Sequence, residues 1–230
     1  FYFTEKGLIL AWGSNQDNQI SATGDLVLEP IEIFGGSAKA EEGGFDPLSG
    51  MSAWAAGEAR ALYDRGFIPP TFMERFQSAI TRGELAHLLV KVYEARRNSD
   101  IKPEGSVKFK DIKGHLYETE IIKANFLGLV DGTSDATFTP DAYVDRQAAA
   151  KMICTFVCKM QKISMPDDYE PVGSYNDWHQ IAAWAQPYVS YAYSKDLMTG
   201  LTPTQFSPGA RLTREQSLVI ITRISDRYKW

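Results

Sequence analysis

Three stretches of the chain share one alternation of apolar and polar positions, and its period is helical. Leu85, Leu88, Leu89, Val92 and Tyr93 recur at three- and four-residue spacing. Ala149, Met152, Ile153, Phe156 and Val157 do the same, and Leu218, Ile221, Ile224 and Ser225 do so less perfectly. Such spacing lines one face of an amphipathic helix. Each run is entered through the same short phrase: Ile80-Thr81-Arg82-Gly83-Glu84, Val144-Asp145-Arg146-Gln147-Ala148 and Leu212-Thr213-Arg214-Glu215-Gln216. Thr81 with Glu84, and Thr213 with Gln216, stand in the relation of a capping box, where each side chain accepts the other residue's backbone N–H. Asp145 is an equally good N-cap, although Ala148 removes the return half. These signals predict helices over 82–97, 146–161 and 214–228.

The phrase returns after 64 residues (Arg82 to Arg146) and again after 68 (Arg146 to Arg214), which marks a repeat architecture. A second pattern precedes each copy. In the third it runs Tyr175-Asn176-Asp177-Trp178, Trp184-Ala185, Asp196-Leu197-Met198-Thr199-Gly200 and Phe206-Ser207-Pro208. The second has Phe109-Lys110-Asp111, Gly128-Leu129-Val130-Asp131-Gly132 and Phe138-Thr139-Pro140. The first has Phe45-Asp46, Trp54-Ala55, Gly66-Phe67-Ile68-Pro69 and Phe76, with a loop two residues shorter. Each unit thus reads as helix, Gly-bearing loop, helix, the first helices falling at 52–65, 115–127 and 179–195. Pro187 either kinks the last of these or marks a later start. Phe76, Phe138 and Phe206 are expected to plug each loop into its helix pair.

The arginine is the anomaly. At a first helical position the macrodipole is positive, and a cation there costs roughly 0.3–1 kcal/mol. Three arginines at that position imply a use. Free N–H groups at a helix start together with a guanidinium suit a carboxylate or phosphate. Equally, each arginine could pair with an acid of a neighbouring unit and only tie the units together.

The ordered set of elements over about 45–228 resembles three tandem S-layer homology domains of bacterial cell-surface proteins. The resemblance implies a mainly α fold of three helix–loop–helix units in a pseudo-threefold, three-pronged body. It also implies non-covalent anchoring to the cell envelope by binding an acidic, often pyruvylated, secondary cell-wall polysaccharide. On that reading Arg82, Arg146 and Arg214 face grooves between units and meet the acid, while Asp131, Gly132, Thr133, Thr199 and Gly200 shape the sugar contact. Unit one has Pro69-Pro70-Thr71-Phe72 in place of a Gly-x-x-x-Gly loop, so its groove is expected to be degenerate. Asp46, Asp111 and Asp177 either cap backbone or accept sugar hydroxyls. Trp54, Trp178 and Trp184 fit core packing, with sugar stacking as the alternative, and Trp178 beside Asp177 is the better placed for stacking.

Residues 1–44 differ in character. The apolar runs 8–12 and 26–34 predict a short β-hairpin, followed by a Gly-rich linker over 35–44. The phrase from Trp12 through Gln19, with the strand after it, resembles one repeat of the regulator-of-chromosome-condensation type of β-propeller. This segment could pair with a protein partner through its edges. The opening on Phe1-Tyr2-Phe3 is expected of a piece of a longer protein. The resulting division is 1–44 (hairpin and linker), 45–97 (unit one), 98–162 (connector and unit two) and 163–230 (connector and unit three).

Composition narrows the alternatives. The net charge of −5 argues against nucleic acid, and no run of 18 apolar residues predicts a membrane span. Cys154 and Cys158, four apart on one helix, read as buried free thiols, and two cysteines suit a Gram-positive exported protein. His87, His115 and His179 match no metal spacing. No P-loop, dinucleotide fingerprint or Gly-x-Ser-x-Gly occurs, so neither an enzyme nor a cofactor is expected. The expected location is the extracellular cell surface. The runner-up is a protein–protein scaffold whose grooves have lost glycan binding, and the environment of the arginines separates the two.

Overall fold

The computed structural model describes residues 2–3, 9–10, 46–103 and 108–229. The contacts divide the chain into two units, Phe1–Phe45 and Asp46–Trp230. In the first, β1 (Tyr2–Phe3) pairs antiparallel with β2 (Ile9–Leu10). The strand expected over 26–34, the linker and the propeller-type phrase from Trp12 through Gln19 lie outside the described residues.

The second unit is mainly α-helical. Its helices are α1 (Ala53–Asp64), α2 (Arg82–Arg97), α3 (Glu118–Phe126), α4 (Arg146–Gln161), α5 (Gln186–Ser194) and α6 (Arg214–Arg227). The arginine is the first residue of α2, α4 and α6. Complete capping boxes join Thr81 to Glu84 and Thr213 to Gln216, while Asp145 accepts the Ala148 N–H without a return bond. Helices α2 and α4 stop at Asn98 and Lys162, whose φ values of 48° and 56° are left-handed. Helix α5 begins seven residues later than the periodicity predicts, with Pro187 in its first turn, where a missing N–H costs nothing. A separate 3-10 turn at Trp178–Gln180 takes up part of the difference.

Helix pairing departs from the sequence unit. Helix α2 packs on α3, α4 on α5, and α6 on α1. Each arginine-led helix therefore pairs with the first helix of the following unit rather than with its own, and the last closes on the first. Short backbone links close the same circuit. The Val144 N–H donates to the Ile80 carbonyl (3.0 Å), Leu212 to Val144 (2.9 Å) and Ile80 to Leu212 (2.9 Å). Ile80, Val144 and Leu212, all buried, thus form a closed ring of three hydrogen bonds. Two residues further on, the Arg82, Arg146 and Arg214 N–H groups donate to the carbonyls of Ala142, Ala210 and Ser78. Backbone amides at helix starts, which lack intrahelical acceptors, are thereby satisfied across the unit boundaries.

The helix pairs carry side-chain ties as well as apolar contact. Arg223 of α6 holds Glu58 of α1 through two bonds of 2.8 Å. Lys123 of α3, almost fully buried, bridges Glu94 of α2 and Asp100 at 2.6 and 2.5 Å. Cys154 and Cys158 are buried free thiols on α4, and burial pushes both upward in pKa. Phe138 and Phe206 are fully buried, as are Phe72 and Phe76.

His87 lies in the α2–α3 seam between the rings of Phe72 and Tyr117, with centroids 6.3 and 4.8 Å away. Its Nε2 is 3.2 Å from the Thr71 hydroxyl, and its Nδ1 faces the Glu120 carboxylate at 3.8 Å. Burial lowers its pKa; Lys91 and Arg214 push the same way, while Glu120 and Glu94 oppose them.

Two outcomes follow from this packing. Phe138→Ala or Phe206→Ala should each cost about 3–5 kcal/mol in urea unfolding, by removing a buried ring and leaving a cavity. Because the folded pKa of His87 lies below its ordinary 6.5, the unfolded chain takes the proton first as pH falls. Its contribution to stability is complete above about pH 6.5 and is lost on acidification toward the folded pKa. Urea midpoints measured from pH 7.5 to 5 should fall in the native chain and fall less steeply in His87→Gln.

Candidate functional site

The three arginines share one geometry, and it is directed at the next unit's loop. Arg82 donates from Nε to the Phe138 carbonyl (2.9 Å) and from Nη2 to the Asp131 carbonyl (2.8 Å), with its guanidinium 4.6 Å over the Phe138 ring. Arg146 repeats this on the Phe206 and Thr199 carbonyls and lies 5.0 Å over Phe206. Arg214 uses the Glu74 and Thr71 carbonyls and lies 4.3 Å over Phe72. The planar fork and the ring stack are geometry that Lys cannot reproduce. Burial lowers the pKa of all three, Arg146 to about 10, which leaves a cation at neutral pH.

This arrangement corrects the alignment of unit one. Glu74, not Phe76, supplies the carbonyl that Phe138 and Phe206 supply elsewhere, each eight residues ahead of the arginine of its own unit. The residues after them, Arg75, Thr139 and Ser207, all have left-handed φ values, of 52°, 56° and 60°. The two-residue deletion therefore falls ahead of Glu74. The aromatic under the guanidinium is supplied from Phe72, at the end of a 3-10 turn opened by Pro70.

The aspartates of the unit starts also serve the loops. Asp111 accepts the N–H groups of Phe138 (2.9 Å) and Thr139 (2.7 Å), and buried Asp177 accepts those of Phe206 (2.9 Å) and Ser207 (2.7 Å). Burial would raise the Asp111 carboxyl, but the loop N–H groups hold it below the usual value. Asp46 departs from this pattern. It accepts the Leu48 N–H and pairs with Arg60 at 2.7 Å, both of which lower its pKa. Gly132 and Gly200 are required by space. A Cβ at Gly132 would run into the Ser134 and Thr137 carbonyls and the Phe109 ring; at Gly200 it would meet the Gln205 and Thr202 carbonyls.

Beside the loops lie concave spaces. A cavity of about 410 Å³ is lined by Arg82, the loop 128–133, Ala148, Lys151, Met152 and Thr155 of α4, and Trp184. A second, of about 250 Å³, is lined by Arg146, the loop 198–201, Gln216, Val219, Ile220 and Arg223 of α6, and Trp54. Each holds a second cation with an acidic partner: Lys151 pairs with Asp131 at 2.7 Å and Arg223 with Glu58. A third space, of about 440 Å³, lies between the loop 66–71 and α2, lined by His87, Lys91 and Glu94. No arginine of the phrase lines it; Arg214 is 1% exposed and bonded to Glu84 at 2.5 Å. Among the described residues no cluster of His, Cys, Asp and Glu could hold a metal ion, and no helix is long and apolar enough to cross a membrane.

Of the residues singled out from the sequence, Arg82, Asp131, Gly132 and Thr133 come together at one cavity, and Arg146, Thr199 and Gly200 at the other. Asp46, Asp111, Asp177 and Arg214 line neither. Trp178 also lines neither; it packs partly buried against the core, its ring 6.5 Å from Tyr169. The two cavities instead receive Trp184 and Trp54, which are 51% and 52% exposed. Lys151 and Arg223 were missed. Their signal was available: each stands on the polar side of an arginine-led helix, one and two turns beyond the phrase.

Comparison with known proteins gives a consistent picture. The chain is 29% identical over 176 residues to an endoglucanase of Bacillus sp. strain KSM-635, covering 75% of this chain and 18% of that protein. It is 30% identical over 152 residues to a cellulosome-anchoring protein of Acetivibrio thermocellus, covering 66% and 33%. It is 26% identical over 214 residues to a surface-layer 125 kDa protein of Lysinibacillus sphaericus, covering 88% and 16%. The chain therefore spans a third or less of each of these relatives. The matches indicate an extracellular, cell-surface location. The profile of the S-layer homology domain matches residues 108–150 and 174–216, so that each arginine of those segments and the loop ahead of it fall inside the matched sequence.

Proposed function

We propose that residues 45–230 are three S-layer homology units (45–97, 98–162 and 163–230) in a pseudo-threefold body that anchors a larger surface protein by binding an acidic cell-wall polysaccharide. The closed hydrogen-bond ring of Ile80, Val144 and Leu212 and the cyclic helix pairing support the three-unit reading. The anchoring role draws on the matched domain and on relatives named for cellulosome anchoring and the surface layer. The match to the endoglucanase covers 18% of it, and its activity is not carried over.

The observation that carries the reading is the pair of cavities beside Arg82 and Arg146. Each combines a guanidinium preorganised by two carbonyl bonds, a half-exposed tryptophan, loop polar groups and a second cation. A sugar ring stacks on an indole face, and a carboxylate on that sugar is met by the guanidinium edge and the neighbouring Lys or Arg. A pyruvylated sugar presents such a carboxylate. Nothing in this arrangement performs a reaction; it is a binding surface. A scaffold reading draws on the Arg214–Glu84 pair, where one arginine meets an acid of another unit, but that pair occurs in one place of the three.

The test is co-sedimentation with Gram-positive sacculi, with and without their non-peptidoglycan polymer. Replacing the buried arginines would damage the fold, so the informative variants are Trp184→Ala and Lys151→Ala. Each should retain the native melting temperature and lose about tenfold in apparent affinity, the cost of one central contact of about 1.4 kcal/mol. Pelleting should require the polymer and weaken with added salt. Polymer-independent pelleting, or native affinity in both variants, would contradict the groove assignment.

A further inference from the structure

The three grooves are not equivalent, and one residue position bears directly on the arginine of each. Each arginine reaches across toward the next arginine-led helix, and the third residue of that helix shares its surroundings. Beside Arg82 this is Ala148, beside Arg146 it is Gln216, and beside Arg214 it is Glu84. Ala148 and Arg82 line one cavity together, and Gln216 and Arg146 line the second. Glu84 instead accepts from Arg214 Nη1 at 2.5 Å through its carboxylate, and both side chains are buried, 1% exposed for Arg214 and 7% for Glu84. Among the described residues neither Arg82 nor Arg146 forms an ion pair, and Arg146 is 3% exposed while still lining its cavity.

We propose that the third residue of the receiving helix decides whether a groove takes an acidic ligand: Ala148 leaves Arg82 open to the ligand's acid, Gln216 leaves Arg146 a neutral neighbour, and Glu84 closes the third groove with the chain's own carboxylate. The proposal rests on the acidic-polysaccharide reading above and adds to it the identity of the working grooves. Glu84 does in the third groove what the ligand's carboxylate does in the first two. It accepts from the guanidinium edge that the two loop carbonyls leave unused. Its other oxygen accepts the Thr81 N–H and keeps the capping box, so the carboxylate is held in place by the helix start itself. Arg75 approaches the same carboxylate at 3.6 Å from an exposed position and is itself paired with Glu74, so it adds no free cation to the site.

Other features agree with this division. The third groove has Pro70 where the others have Gly132 and Gly200, and its helix offers Glu94 along with Lys91. The half-exposed tryptophan that faces each of the first two grooves is replaced by Leu116 at the corresponding place in unit two. The position is also separable from helix capping. Gln216 completes a capping box as well as Glu84 does, and α4 forms with Ala148, so the cap does not dictate the residue.

The experiment compares Ala148→Glu with Ala148→Gln in the full chain, pelleted with Gram-positive sacculi that retain their polymer. The two variants differ in charge and hardly in size. Ala148→Glu should lose at least about tenfold in apparent affinity, whereas Ala148→Gln should stay within about threefold of the native chain. Equal affinities of the two variants would overturn the proposal while leaving the anchoring function standing. Failure of the native chain itself to pellet would overturn both. The converse variant, Glu84→Gln, keeps the capping box and frees Arg214. It should bind the sacculi more tightly than the native chain, and unchanged affinity of the folded variant would overturn the assignment of the third groove. The Ala148 pair decides the matter if the loss of a buried charge partner prevents Glu84→Gln from folding.

Discussion

Everything in the helical unit depends on a guanidinium that leaves its own helix to hold the loop of the next unit. Burying such a cation is expensive, and an isolated one would cost several kcal/mol in desolvation. Here two backbone carbonyls accept from it in its own plane, and an aromatic ring lies beneath it. The same carbonyls lie in loops bent through left-handed residues and clamped by Asp111 or Asp177, which accept the loop N–H groups. The macrodipole cost of an arginine at a helix start is small beside these contacts. The position also has a geometric advantage, since the first helical residue follows two places after the ring of Ile80, Val144 and Leu212 and its own N–H is bonded to the neighbouring segment.

Because each tie runs forward by one unit, the order closes only when the third reaches the first. That explains why α6 packs on α1, the two helices farthest apart in sequence, and why Arg223–Glu58 and Ser52–Glu215 contacts span more than 160 residues. The grooves are by-products of the same architecture. A loop held by its arginine leaves a trough between itself and the receiving helix, and Arg82 and Arg146 each line one. The troughs then differ through ordinary substitutions. Charge at the receiving phrase, Gly or Pro in the loop and Trp or Leu on the rim together distinguish the spaces beside Arg82 and Arg146 from the one over 66–71.

Much of this was legible in the sequence. The phrase Thr-Arg with Glu or Gln after it specified helix starts to the residue, because capping is local and depends on side chains a few positions apart. The degenerate loop of unit one was visible in Pro69-Pro70, but its register was not. Phe76 looked like the counterpart of Phe138, while the backbone assigns that place to Glu74 and brings Phe72 in from the other side. The pairing of helices across units was also hidden, since amphipathic faces identify what is buried and not the partner. Trp54 and Trp184 begin amphipathic helices and so read as core, yet only Ala55 and Ala185 beside them are buried. The carboxylate of Glu84 was read for its cap, and its second role needed Arg214 to be brought within reach from 130 residues away.

The central claim is that the spaces beside Arg82 and Arg146, with Trp184 and Trp54 on their rims, are where the polymer binds. Tryptophan indole N–H signals in a nitrogen–proton NMR spectrum, followed during titration with solubilised wall polysaccharide, read this directly. The account predicts that the signals of Trp184 and Trp54 move and that of Trp178 does not. Movement of Trp178 with Trp184 and Trp54 unchanged would place the ligand elsewhere and contradict it.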